Sequence, residues 1–138
     1  MNTYKPYNTP SNYGRKSTLN LNTCHDDLQI LLRALRDDGW DISVVCGHRG
    51  EYAQTQAYIA EKSNARWPDS KHNTLPSEAV DIAPYIPGVG IPWEDPLPWY
   101  LLAGAMMQKA KDLNIGIRWG GYFKTIAGGD LGHWELVR

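Results

Sequence analysis

Cysteine is scarce in this chain: Cys24 and Cys46 are the two it has, and they form no CxxC pair. Two cysteines make no disulfide framework, so both are expected as buried free thiols. Long apolar runs are missing too, and none approaches the ~18 residues of a membrane-spanning helix. The opening "MNTYKPYNTPSNYGRK" has no basic segment followed by an apolar one, so no secretory signal is expected. The chain is therefore expected to stay in the cytosol where it is made until something else releases it. A net charge of −1 gives no bulk attraction for nucleic acid or an anionic membrane. Phenylalanine occurs once, against six Trp and eight Tyr. Trp and Tyr join an apolar body to a polar handle, which suits packed loops and clefts as well as small cores. There is no internal repeat and no low-complexity tract.

What is present reads as a single domain, since 138 residues suffice for one hydrophobic core. Residues 1–20 are polar, with Pro6, Pro10 and Gly14, and read as an irregular arm ahead of a domain at 21–138. Leu28, Leu31, Leu32 and Leu35 repeat at the spacing of one helix face. Thr23 is expected to cap that helix, and Gly39 to stop it. In "WDISVVCG", Trp40, Ile42, Val44 and Cys46 alternate with Asp41, Ser43 and Val45, the pattern of a half-buried strand. A second helix is expected in the second half of "HRGEYAQTQAYIAEKS", after Gly47, carrying Tyr52, Gln56 and Ile59 inward. A loop over 64–76 carries His72, and "EAVDIAPYI" is the next strand. A proline- and glycine-rich loop leads to a third helix near Leu97–Leu113. "GIRWGG" and "HWELV" close the chain as short strands around a glycine loop. The order implies an α+β fold: a small, mostly antiparallel sheet with about three helices.

Asp81 stands out because "AVDIAPY" otherwise reads as a buried strand, where an unpaired carboxylate is costly. Zinc accepts imidazole nitrogen and carboxylate oxygen, and a catalytic site keeps one position for water. On the pleat, Ala79, Asp81 and Ala83 share one face, and so do His133, Glu135 and Val137. If these two strands are neighbours, Asp81 and His133 reach one ion, and His72 closes over it from its loop. The same spacing also suits a structural Asp at a turn and two surface histidines. Asp130, three residues before His133, is placed to take a proton from a metal-bound water. Glu135 is either a rival base or the partner that orients a ligand histidine. Arg49, after "CGH" at a strand end, is a candidate donor to an oxyanion. His48 is expected beside it in the loop, and His25, in a first helical turn, is expected to be structural.

Together these pieces resemble the zinc D,D- and L,D-peptidases of bacterial cell-wall metabolism. The likeness is nearest to phage endolysins of the L-alanyl-D-glutamate peptidase type. "SKHN…AVDIAPY" resembles the family's Ser-x-His…Asp motif, "DLGHWEL" its acid-x-x-His motif, and "GHRG" its substrate-side Arg motif. The likeness runs in order from about Thr23 to Val137. It implies His72, Asp81 and His133 as Zn2+ ligands, Asp130 as acid/base, and Arg49 as the group that polarises the scissile carbonyl. Ser70 matches the motif serine and is implied in substrate binding. The loop between His72 and Asp81 is longer than in many members, as in endolysin-like ones. Many carboxypeptidases have Glu where Asp130 stands, which favours an endopeptidase here. The implied substrate is the stem peptide of peptidoglycan, cut by a monomer that waits in the host cytoplasm and then acts on the wall. Two other readings stay open. One is a D-alanyl-D-alanine carboxypeptidase or dipeptidase, and the other a non-catalytic wall-binding or virion module of the same fold.

Overall fold

The computed structural model describes residues 13–124 and 128–137. Its elements are α1 (Arg15–Leu21), α2 (Asp26–Asp37), β1 (Ile42–Cys46), α3 (Glu51–Ile59), β2 (Ala79–Pro84), α4 (Leu97–Asp112), β3 (Ile117–Trp119) and β4 (His133–Leu136). Two short 3-10 turns, Lys71–Asn73 and Gly120–Tyr122, lie between them. The four strands form one antiparallel sheet in the order β1-β2-β4-β3, so the expected α+β architecture holds.

One sheet face carries the core. Ile42 and Val44 of β1, Val80 and Ile82 of β2, and Trp134 and Leu136 of β4 are all buried there. The leucine stripe of α2 and Leu102, Met106 and Ala110 of α4 belong to the same cluster. Each buried leucine contributes about 1.5–3 kcal/mol relative to exposure. The stripe predicted for α2 is the one observed, and Gly39, at φ +93°, ends the helix in the left-handed region. Its cap differs from expectation: the His25 ring accepts from Asp27 N at 3.0 Å. Thr23 is committed elsewhere, donating to Asn20 O and accepting from His48 N.

Two further expectations fail. The arm assigned to 1–20 includes α1, while residues 1–12 lie outside the described part. Its helix forms because α1 covers the free edge of β1. Asn20 Nδ2 donates to Val44 O at 2.8 Å, and Ser17 Oγ accepts from Val44 N at 2.9 Å. An edge strand's unpaired backbone groups are thereby satisfied. Helix α3 forms where expected but shows a different face: Tyr52 and Ile59 are 79% and 67% exposed, Gln56 is exposed, and only Gln54 is buried. The inward face is chosen by the polar bonds of Gln54, to which an apolar pattern is blind.

The opposite sheet face carries polar side chains. The register places Asp81 across from His133 and Ala79 across from Glu135. A bulge at Val45 shifts the β1 register so that Cys46, rather than Val45, faces Asp81.

Candidate active site

Three segments build the site. Ser70 starts the Lys71–Asn73 turn with a reciprocal cap: its Oγ accepts from His72 N, and its own N donates to Asn73 Oδ1. This turn lowers His72 onto the sheet face that β2 and β4 share. His72 Nδ1 lies 2.8 Å from Gly47 O, and a carbonyl can only accept. The proton is therefore on Nδ1, and Nε2 offers a lone pair. His133 Nε2 lies 2.9 Å from Glu135 Oε1, which fixes its proton there and frees Nδ1.

The two free nitrogens converge on Asp81. His72 Nε2 is 3.2 Å from Asp81 Oδ1, His133 Nδ1 is 3.1 Å from the same oxygen, and the nitrogens are 3.3 Å apart. With both rings neutral, three electron-rich atoms face one another with no proton between them. A cation or a proton between them would relieve that. A tetrahedral zinc with bonds of ~2.0–2.1 Å separates its ligand atoms by about 3.3–3.4 Å, so only a slight spreading of the three side chains is needed. The donor set fits the metal.

The electrostatics agree. Burial opposes charge on His72, but the hydrogen bonds and charges of Asp81 and Cys46 outweigh it and lift its pKa to about 10. Burial likewise opposes the charge on Asp81, and the two histidines hold its carboxyl well below the usual range. His133 is raised by Asp81 and Glu135 against its own burial. Without a metal, a proton takes the place of the cation.

The remaining residues sit around this tripod. Asp81, Asp130 and His133 each place a ligand-type atom within 4.8 Å of the others. Burial, with the charge of Asp81 next, raises the Asp130 carboxyl, which moves it toward the range of a working base. Gly120 makes this approach possible: a Cβ there would lie 2.5 Å from Asp130 O and 2.8 Å from His133 Cβ. Arg49 reaches over Asp81, with Nη2 3.4 Å from Oδ2, and is held by Gln54 Oε1 at 3.1 Å. Ser70, Arg49, Asp130 and the tripod line a cleft of about 390 Å³. Glu135 also lines it, but one of its oxygens is committed to His133 and the other lies 3.5 Å from Lys71 Nζ. Both of its oxygens are thus turned to protein partners. His48 lies in the loop beside Arg49, with Nδ1 3.0 Å from Thr74 O, and takes no place in the tripod.

A model of the family described as phage L-alanyl-D-glutamate peptidase matches residues 11–132. The chain belongs to that family. It is 33% identical over 135 residues to the L-alanyl-D-glutamate peptidase of Escherichia phage T5, covering 91% of this chain and 97% of that one. Among solved structures it resembles the L-Ala D-Glu endopeptidase ChiX of Serratia marcescens, with a TM-score of 0.74 and 30% identity. That match covers 91% of this chain and 89% of ChiX.

Three residues of this peptidase-family site escape a reading of the sequence. Cys46 Sγ lies 3.9 Å from His72 Nδ1 and accepts from Arg49 Nη2 at 3.6 Å. It could join His72 and Asp81 as a metal-binding set, but the nitrogen His72 turns toward it already donates to Gly47. Gln54 accepts from Arg49 and Asn73 and donates to Ser63 and Ala65 O. Asn73 in turn donates to Arg49 O at 2.9 Å. For Cys46, its place three residues before Arg49 was a usable signal; for Gln54 and Asn73 there was none.

Proposed function

We propose that this chain is a zinc peptidase that hydrolyses the L-alanyl–D-glutamyl bond in the stem peptide of peptidoglycan. The observation that carries the reading is the convergence of His72 Nε2, Asp81 Oδ1 and His133 Nδ1 on one point at the floor of the cleft. His72, Asp81 and His133 would hold the ion. When bound, zinc supplies Lewis acidity and brings a water's pKa down to roughly 7. Asp130 is placed to accept a proton from the attacking water and to return it to the leaving amine of D-glutamate. Arg49 faces the carbonyl oxygen as negative charge develops there. Ser70 donates its hydroxyl to the substrate from the cleft wall. Gln54 and Glu135 hold Arg49 and His133 in place.

The catalytic unit in this reading begins with α1 rather than at residue 21, because α1 closes the edge of the strand that ends at Cys46. No helix among the described residues is long and apolar enough to cross a membrane. In this proposal the enzyme accumulates in the host cytoplasm, works as a monomer, and meets the wall only after release.

Mass spectrometry of purified peptidoglycan tests the reading, using digests with enzyme, with enzyme plus chelator, and with zinc restored. Fragments bearing a new D-glutamate amino terminus are expected, lost with chelator and recovered with zinc. Release of D-alanine instead would move the assignment to a carboxypeptidase, and a chelator-resistant digest would remove the metal from it.

A further inference from the structure

The cleft continues past the tripod. A second hollow of about 610 Å³ shares Arg49, Lys62, Asn64, Asp81 and Asp130 with the first, so the two form one groove across the reacting centre. Their outer halves differ. The first adds two cations, Lys71 and Arg118, and two carboxylates, Asp69 and Glu135, of which Glu135 lies 3.5 Å from Lys71 Nζ. The second adds Val45, Ile82, Trp93, Trp99 and Leu131, and Glu61 is its one outer charge among the described residues.

Trp93 is 70% exposed, a large apolar surface left in water beside the reacting groups. It is nevertheless held in place. Its ring lies 5.6 Å from that of Trp99 at 41°, and Trp99 is buried with Nε1 donating to Pro92 O at 2.9 Å. Trp99 also packs on the turn that feeds the last strand: a Cβ on Gly132 would lie 3.2 Å from its ring. The aromatic platform is thus fixed relative to His133.

Resting on the peptidase reading, the substrate has two chemically distinct sides. On the amine side, D-glutamate carries a free carboxylate. On the acyl side, one lactyl unit beyond L-alanine, comes the muramyl sugar, a ring with apolar C–H faces. Outer cations for the carboxylate, Lys71 and Arg118, occur only in the first half, and the aromatic platform for the sugar lies only in the second. We propose that the Trp93–Trp99 hollow is a saccharide subsite in which the muramyl ring stacks on Trp93. An enzyme built this way favours bonds close to the glycan.

Two substrates with one peptide sequence test this, the L-alanine amine carrying either an N-acetylmuramyl group or a plain acetyl group. The wild-type preference in kcat/KM for the muramyl form is expected to be about tenfold. It should fall to near unity in Trp93→Ala and be largely kept in Trp93→Phe. N-acetylmuramyl-L-alanine should shift the tryptophan emission of the wild type but not of Trp93→Ala. Trp93 is exposed, so a thermal melt can confirm that each variant is folded. A wild type that cleaves both forms equally would overturn the subsite and leave the peptidase reading standing. Cleavage of neither form at this bond, with the emission shift intact, would overturn the peptidase reading and keep the sugar site.

Discussion

His72 and His133 each have one ring nitrogen occupied by a hydrogen-bond acceptor, and this decides which nitrogen remains for a metal. For His133 the acceptor is Glu135, whose own carboxyl is held below its usual range by that hydrogen bond. Glu135→Ala releases the ring, and zinc affinity should fall about 10–100-fold, read by competition with a chromophoric chelator. Asp130 should behave in the opposite way. Its replacement by Ala is expected to lower kcat by about 10²–10⁴ while zinc content stays at one per chain. Loss of the metal in that variant would make Asp130 a ligand instead of the base. A third residue acts away from the chemistry. Burial pushes the Cys24 thiol from 9.0 up to about 12. The unfolded chain therefore loses this proton first, so the stabilisation is complete below pH ~9 and is lost as pH rises toward 12. Urea midpoints at pH 8 and 10.5 should fall less steeply for Cys24→Ala than for the wild type.

Among the elements, those placed by apolar pattern were legible and those placed by polar bonds were not. The stripe of α2 and the alternation of β1 as far as Val44 follow from burial, which repeats along the sequence; the bulge at Val45 then turns Cys46 away from the expected core face to the side of Asp81. The pairing of Asp81 with His133 needed one further assumption, that their strands are neighbours, and the register satisfies it. Helix α1 was missed because it docks through Ser17 and Asn20 on the backbone of β1. Helix α3 was turned the wrong way because it is anchored by Gln54, a residue that sequence patterns place on the surface. Gln54 joins α3, Arg49, Asn73 and the Ser63–Ala65 loop, and its removal takes one hydrogen bond from each of Arg49, Asn73 and Ala65 O. Gln54→Ala should cost about 1–3 kcal/mol in urea unfolding. Because Arg49 loses its support as well, kcat should fall more than that stability loss alone explains at temperatures where the variant is fully folded.

For the whole molecule, the candidate metal site and the hydrophobic core occupy opposite faces of one sheet. The tripod draws on chain segments 61 and 52 residues apart, which an ion would tie together. The core lies on the other face and depends on α2 and α4, neither of which carries a ligand. Two consequences follow when zinc is stripped. The ion's binding energy is lost: at a free concentration 1,000 times Kd it stabilises by about 4.1 kcal/mol. For a chain of this size that amounts to a fall in Tm on the order of 10 °C. The fold should nevertheless survive, since the core residues keep every apolar neighbour, unlike a small zinc domain that unfolds without its metal. Calorimetry should therefore show a lowered but cooperative transition after chelation, while the far-ultraviolet circular dichroism at 25 °C stays unchanged. His72→Ala should melt near the stripped wild type and gain little when zinc is added. If chelation instead abolishes the transition, the ion is a structural requirement, and loss of activity without it no longer identifies it as the catalytic group.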